Sequence, residues 1–147
     1  MIDIIVLNRN LRLHDNAALF YGSLRSNYIV IYLYDEKYWE GNGKSSRQLK
    51  FATDCLNELD QDLKKINSEI NIFEGSFEML KIWIKENFSD YRIHMNHCTD
   101  IGYFRTGFEN FKNYFGKRLS VYDDFGLQLN NFDSCLLYTS DAADDSL

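Results

Sequence analysis

The sequence predicts an α/β fold of the Rossmann-like, doubly wound type, with a five-stranded parallel sheet and helices on both faces. Short apolar runs rich in β-branched and aromatic residues alternate with longer segments whose apolar residues recur at helical spacing. Strands and helices that alternate in this way, joined by right-handed crossovers, form a parallel sheet. We expect the strand order 3-2-1-4-5, with the first strand in the centre.

The first predicted strand is the apolar run from Ile2 to Leu7. Its β-branched residues suit a central strand that is buried on both faces. The chain becomes polar directly after Leu7. Asp15 or Asn16 can then cap the helix that follows, since both side chains accept hydrogen bonds from free amides of a first helical turn.

The second predicted strand runs from Tyr28 to Tyr34 and is followed by a long amphipathic helix. Ser45 and Gln48 have the spacing of a capping box at the start of that helix. Its apolar face is expected to comprise Ala52, Cys55, Leu56, Leu59, Leu63 and Ile66.

Three further strands are predicted at residues 70–73, 91–96 and 119–122. The helix between the third and fourth strands is expected to direct its large apolar residues toward the core, namely Phe77, Leu80, Trp83, Ile84 and Phe88. The last helix is expected to begin near Asp100. It repeats phenylalanine at positions 104, 108, 111 and 115, and Gly116 should end it.

Length and composition indicate one soluble domain. A chain of 147 residues can bury a core of its own, and it contains no apolar run long enough for a membrane span and no signal-peptide pattern. We therefore expect a cytoplasmic protein, without a membrane partner and monomeric. The net charge of −6 argues against phosphate-backbone binding by this domain alone, because such binding depends on clustered Lys and Arg.

The composition changes sharply near residue 134. The stretch Cys-Leu-Leu-Tyr-Thr-Ser-Asp-Ala-Ala-Asp-Asp resembles one reading frame of a common sequencing-library adapter. We interpret residues 1–133 as the domain and residues 134–147 as a non-native tail from adapter read-through, which fold reasoning should exclude. The alternative is a genuine acidic, flexible C-terminus. Without this tail the net charge is −3.

The candidate ligand site lies where the predicted strands end. Ligands of doubly wound sheets bind beyond the carboxyl ends of the strands, at the point where the strand order reverses. Here that point falls between the first and fourth strands. The residues expected to line the site and bind a cofactor are Asn8, Arg9, Tyr34, Asp35, Asn96 and His97.

Several familiar site types are disfavoured by the sequence. No Gly-x-Gly-x-x-Gly motif follows the first strand and no phosphate-binding Gly-rich loop with Lys occurs, so a typical dinucleotide or NTP site is not expected. His94 and His97 are three residues apart on a strand and should point to opposite faces, which argues against a metal site. Cys55 falls on the apolar helix face, where a packing role is expected. No catalytic residues are assigned.

The residues after the first strand resemble the opening of the DNA photolyase/cryptochrome family. The segment Asn10-Leu11-Arg12-Leu13-His14-Asp15-Asn16, followed by Ala18-Leu19, is similar to the family pattern Trp-Phe-Arg-x-Asp-Leu-Arg-x-x-Asp-Asn. The first half of that pattern is replaced, with Val6-Leu7-Asn8 in place of Trp-Phe-Arg and Asn10 in place of Asp. Arg47, with Leu56 to Asp60 and Leu63, is similar to the Leu-rich helix of the same family.

The resemblance implies the N-terminal α/β domain of a light-driven flavoprotein that, in its repair members, reverses pyrimidine dimers in DNA. In that family this domain can hold an antenna chromophore, a folate or a flavin-like molecule. The catalytic FAD and the DNA-binding groove belong to a following helical domain, so this fragment should contact DNA only through that missing domain and be inactive alone. Folate is doubtful, because Gly102-Tyr103 stands where folate-binding members have Asn-Glu.

Two alternatives remain open at this point. One is a stand-alone nucleotide- or flavin-binding α/β module of flavodoxin-like or universal-stress type. The other is a partner-binding domain without a ligand. The gene sequence downstream of codon 133 would distinguish a photolyase or cryptochrome from the stand-alone module. An in-frame helical FAD-binding domain indicates a photolyase or cryptochrome, whereas a stop codon favours the module.

Overall fold

A computed structural model describes residues 1–8, 11, 16–37, 46–98 and 102–122. Strands and helices alternate through these residues as the sequence predicts. The strands are β1 (Ile2–Leu7), β2 (Tyr28–Tyr34), β3 (Ile70–Glu74), β4 (Tyr91–Asn96) and β5 (Leu119–Tyr122). The helices are α1 (Ala17–Gly22), α2 (Ser46–Lys64), α3 (Phe77–Asn87) and α4 (Tyr103–Phe115), with a 3-10 turn at Gly116–Arg118.

The five strands form one parallel sheet in the order β3-β2-β1-β4-β5. This confirms the predicted fold class and strand order. In the centre, Val6 of β1 lies opposite Ile31 of β2 on one side and Met95 of β4 on the other. A strand paired on both edges and covered on both faces needs apolar residues throughout, which explains the uninterrupted run from Ile4 to Leu7.

One face of the sheet packs against α3 and α4. The four phenylalanines of α4 at positions 104, 108, 111 and 115 are buried there, with Phe108 and Phe111 at 0% and 2% exposure. Phe77 of α3 contacts these rings, and its ring centroid lies 5.2 Å from that of Phe111. The strands contribute Ile4, Val6, Ile31, Leu33, Ile93 and Met95 to the same core. The spacing of these phenylalanines, at intervals of four, three and four residues, therefore corresponds to the buried face of α4.

The other face packs against α1 and α2. Ile5 and Leu7 of β1 contact the apolar sides of both helices, including Leu59 and Leu63 of α2. Helix α1 approaches the sheet at Gly22, where an added Cβ would overlap the Ile5 side chain and lie 3.2 Å from the His94 ring. Only a residue without a side chain permits this approach.

Some predicted details are wrong, and the reasons are local. Helix α2 ends at Lys64, so Ile66 falls in the turn after it and is 56% exposed instead of contributing to the apolar face. Cys55 is half-buried, not buried. Helix α4 begins at Tyr103, after Gly102 with φ of 72°, and not near Asp100. The capping box at Ser45 and the tail at 134–147 fall outside the described residues.

The helix termini that are described follow the predicted signals. Asn16 caps α1, because its side-chain oxygen accepts a 3.1 Å hydrogen bond from the Leu19 amide. Gly116 ends α4 with φ of 54°, a conformation that favours glycine. Among the described residues, none of the helices is both long and apolar enough to cross a membrane.

Candidate functional site

Polar side chains gather at the carboxyl edge of the central strands. Because β1, β2 and β4 are parallel neighbours, their last residues meet at one edge, where the strand order reverses. Five of the six predicted site residues lie there: Asn8, Tyr34, Asp35, Asn96 and His97. Arg9 lies outside the described residues. The predicted site residues therefore share one edge, as the topology requires.

Asn96 connects the end of β4 to the start of α1. Its side-chain oxygen accepts a 3.0 Å hydrogen bond from the Ala18 amide, and its side-chain nitrogen donates a 2.9 Å bond to Asn16. Both asparagines are buried, so these bonds satisfy polar groups that would otherwise be costly to desolvate. Asn96 thus positions the first turn of α1 beside the site, which its sequence position alone did not indicate.

Asp35 is held by two donors at the end of β2. One carboxylate oxygen accepts a 3.1 Å hydrogen bond from the Lys37 amide, and the other accepts a 2.8 Å bond from the Tyr103 hydroxyl. The Lys37 ammonium lies 4.7 Å from the centre of the Tyr103 ring. Burial and the hydrogen bond to Asp35 raise the pKa of Tyr103 to about 12. These contacts join α4 to the edge of β2.

Tyr103 was not predicted as a site residue. The sequence places it 68 residues after Asp35, at the start of a helix, and no spacing rule connects the two positions. The sequence offered one indication of a role for Tyr103. It lies in the segment after β4, where folate-binding members of the family that the sequence resembles have Asn-Glu. The raised pKa of Tyr103 keeps its hydroxyl protonated above the pH range in which an ordinary tyrosine ionises.

His97 and Tyr34 complete the edge. The His97 amide donates a 2.7 Å hydrogen bond to the Tyr122 carbonyl, which extends the pairing with β5 one residue beyond the end of β4. The His97 ring lies edge-on to Phe108, with centroids 6.1 Å apart. The Tyr34 carbonyl accepts a 2.9 Å bond from the Gly75 amide. His97, Tyr34 and Asn8 are half-buried, so each retains exposed surface at this edge.

A second polar cluster lies beneath α1. His94 is 4% exposed, with one ring nitrogen 2.9 Å from the Asp3 carboxylate and the other 2.9 Å from the Tyr122 hydroxyl. Arg25 binds the same carboxylate through two hydrogen bonds of 2.9 and 3.0 Å. The cluster joins β1, β4 and β5 to the segment after α1, and the sequence analysis did not anticipate it.

The protonation states in this cluster follow from burial. Burial lowers the pKa of His94, and the Asp3 carboxylate offsets only part of that effect. Burial opposes ionisation of Asp3, but the hydrogen bonds from Arg25 and His94 outweigh it, so the pKa of Asp3 is also lowered. At neutral pH, neutral His94 therefore donates Nε2–H to the carboxylate, and its Nδ1 accepts from Tyr122.

Metal binding finds no support in this part of the chain. No group of three or more His, Cys, Asp or Glu side chains among the described residues could hold a metal ion. His94 lies on the α1 side of the sheet and His97 contacts α4, so the two rings lie on opposite sides.

This fold and this edge define a class of protein: a doubly wound parallel α/β domain with hydrogen-bonding and aromatic side chains at its topological switch point. The sequence model of the DNA photolyase family matches residues 4–98, which is more than half of the chain. The chain belongs to the DNA photolyase family.

Individual relatives agree with this assignment. The (6-4)DNA photolyase of Arabidopsis thaliana is 33% identical over 82 residues, covering 49% of this chain and 15% of that protein. An archaeal photolyase from Sulfolobus tokodaii, crystallised with two FAD molecules, has a TM-score of 0.67 and 23% identity over 84% of this chain and 29% of its own. A bacterial class III photolyase from Agrobacterium tumefaciens has a TM-score of 0.59 and 18% identity, over 82% and 25% respectively. This chain spans less than a third of each relative.

Proposed function

We propose that this chain is the N-terminal antenna-type domain of a longer photolyase or cryptochrome, and that it holds a flavin-like chromophore at the carboxyl edge of its sheet. Family membership and the small share of each relative that the chain covers support the first part. The gathering of aromatic and amide side chains at the switch point supports the second part and is the observation that carries it.

The residues at this edge fit a planar heterocycle. Tyr34 and His97 are half-buried rings that offer stacking surface, and Asn8 offers an amide that can both donate and accept hydrogen bonds. Asn96 and Asp35 are already bonded to Asn16 and Tyr103, so they shape the rim and keep the other side chains in position. When bound, such a chromophore would absorb light and pass the excitation to a catalytic flavin.

A flavin or deazaflavin-like molecule is favoured over a folate or a bare nucleotide. The Sulfolobus tokodaii photolyase is described with two FAD molecules and with an implied light-harvesting cofactor, which provides a precedent on the same fold. Gly102-Tyr103 offers no carboxylate for a folate, and the Tyr103 hydroxyl is already bonded to Asp35. Phosphate binding would depend on Arg9 and backbone amides, because no Gly-rich phosphate loop is present in the sequence.

Catalysis is assigned to the longer parent protein. We propose that the parent binds its catalytic FAD and DNA in a helical domain that follows this one, and that the fragment alone repairs no lesion. The domain boundary is placed at residue 133, with residues 134–147 as a non-native tail. Sequencing the gene beyond codon 133 tests this directly: an in-frame helical domain supports the proposal, and an immediate stop codon contradicts it.

Ligand titration of the chain tests the antenna proposal. FMN, FAD, a folate and ATP are each titrated while flavin and tyrosine fluorescence are recorded. We expect saturable flavin binding that is tighter than ATP binding and is weakened by Tyr34→Leu. Phe20→Leu is the control, because Phe20 is an aromatic residue of α1 that is 61% exposed and is not among the proposed site residues. Tight ATP binding without a flavin response would instead support the nucleotide-module alternative.

A further inference from the structure

The outer ends of α3 and α4 carry a concentration of positive charge that the net charge of the chain does not reveal. Both helices run opposite to the strands, so their C-terminal turns lie near the amino edge of the sheet, away from the proposed chromophore site. We define the cationic surface as Lys81, Lys85, Arg92, Lys117 and Arg118 with the ring of Tyr114.

Aromatic rings organise this surface. The ammonium groups of Lys81 and Lys85 lie 4.7 and 5.2 Å from the centre of the Tyr114 ring. The guanidinium of Arg118 lies 4.7 Å from the ring of Tyr91, next to the same helix end. Tyr114 remains 47% exposed although both ammonium groups lie over its ring, so part of this aromatic side chain is still accessible to solvent.

Most of these cations lack a carboxylate partner. Within the described part of the chain, Lys81 pairs with Glu78 at 2.9 Å, whereas Lys85, Arg92, Lys117 and Arg118 form no ion pair. The nearby Asp90 is paired with the N-terminal amine at 3.5 Å. Among the described residues at these helix ends the other acid is Glu86, so cations outnumber acids in this described part of the surface.

Helix C-termini favour cations on their own account, because the helix dipole is negative there. That effect explains Lys85 in the last turn of α3 and also favours Lys117 and Arg118, which directly follow the end of α4, but it does not explain Arg92 on β4. The helix dipole also does not explain why an exposed aromatic ring lies beside Lys81 and Lys85. The combination matches surfaces that bind single strands, where cations contact phosphates and bases stack on aromatic rings.

We propose that this cationic surface binds single-stranded nucleic acid without sequence preference, with a base stacked on Tyr114 and phosphates beside Lys85 and Lys117. This binding site is separate from the chromophore site and does not depend on it, and it departs from the expectation that the domain contacts nucleic acid only through the missing helical domain. An acidic protein segment would also be attracted by the charge, but it would gain nothing from the exposed ring, so Tyr114 distinguishes the two partners.

The test is fluorescence anisotropy of the full chain with a labelled oligothymidylate of about 20 nucleotides at about 50 mM salt. We expect a dissociation constant between about 1 and 100 µM that weakens as salt is raised. Lys85→Gln with Lys117→Gln should weaken binding about tenfold and reduce the salt slope by about 1.4, which is the share of two phosphate contacts. Tyr114→Leu should weaken it about tenfold, and Tyr114→Phe should retain it.

The matched control is Lys50→Gln with Lys65→Gln, which removes the same charge from α2 and the turn after it, where both lysines are paired with aspartates. Thermal midpoints of all variants separate loss of binding from loss of folding. Absence of binding by the unaltered chain up to about 100 µM overturns the proposal. The proposal is also overturned if the control pair loses as much affinity as the Lys85 and Lys117 pair, or if a duplex of the same sequence binds as tightly as the single strand. Equal binding of polyglutamate, with no effect of Tyr114→Leu on oligonucleotide binding, would overturn it as well.

Discussion

The Tyr103 hydroxyl donates a 2.8 Å hydrogen bond to the Asp35 carboxylate and thereby ties the start of α4 to the end of β2. The carboxylate is 6% exposed, so removing this donor leaves a buried charged acceptor short of a partner. The same contact fixes one side of the proposed chromophore site. It therefore links the stability of the sheet edge to the shape of the site.

Tyr103→Phe should lower the free energy of unfolding by about 1 to 3 kcal/mol, because it removes a hydrogen bond to a buried charged group. Urea denaturation measures this loss. Tyr21→Phe is the matched control, since Tyr21 is 48% exposed and its hydroxyl has no hydrogen bond among the described residues; it should change the free energy by less than about 0.5 kcal/mol. Similar losses in both variants would mean that the hydrogen bond from Tyr103 to Asp35 does not contribute to the free energy of unfolding.

The raised pKa of Tyr103 gives a separate observable. Spectrophotometric titration should show a tyrosine that ionises near pH 12, and this high-pH component should lose one tyrosine in Tyr103→Phe. Titration of the remaining tyrosines should be unaffected by this substitution. A titration curve that is the same in the variant would contradict the Tyr103–Asp35 contact in solution.

Leu59→Ala should lower the free energy of unfolding by about 2 to 5 kcal/mol, because Leu59 is 2% exposed and its truncation leaves a cavity between α2 and the sheet. Lys64→Ala should change it by less than about 0.5 kcal/mol, since Lys64 is 61% exposed and its ion pair with Asp60 lies at the surface. Urea denaturation of both variants compares the two faces of α2. Equal losses would mean that α2 is rotated from this orientation.

Acidification should destabilise the domain through His94. Its pKa is lowered in the folded protein, so below the ordinary value of 6.5 the unfolded chain binds a proton that the folded chain resists. The stability contributed by neutral His94 is therefore complete above 6.5 and is lost as pH falls below it. The lowered pKa of Asp3 acts in the same direction at pH values near and below 3.8.

The measurement is urea unfolding at pH 7.5 and 5.5. The unaltered chain should lose stability between these values, and His94→Gln should lose less, whatever its absolute stability. Substituting the half-buried His97 in the same way is the control, because its ring lies outside the Asp3 cluster. An unchanged pH dependence in His94→Gln would show that other groups cause the acid sensitivity.

Removal of residues 135–147 should leave the thermal midpoint unchanged within error. The tail carries no periodic apolar face after Tyr138, and its sequence ends in Asp-Ala-Ala-Asp-Asp-Ser-Leu. Differential scanning calorimetry of the chain with and without the tail makes the comparison. A loss of several degrees would show that the tail packs on the domain and would contradict its interpretation as adapter read-through.

The predictions that succeeded rest on local rules. Short apolar runs rich in β-branched and aromatic residues identified every described strand, and the helical spacing of phenylalanine identified the buried stripe of α4. The cap at Asn16 and the stop at Gly116 are equally local, because they depend on a side chain or a φ value within one turn. The prediction that Ile66 belongs to the apolar face of α2 was wrong, because the helical spacing of apolar residues continues past Lys64, where the helix ends.

Alternating elements and right-handed crossovers leave few topologies, so the fold class, the strand order and the edge at which polar residues gather could be predicted from the sequence. The hydrogen bonds that those side chains form there could not. Asn96 is bonded to Asn16 across 80 residues, and Asp3 to His94 across 91. Such pairs form because burial obliges each polar group to find a partner, and the partner is chosen by distance in the folded chain, which no spacing along the sequence records.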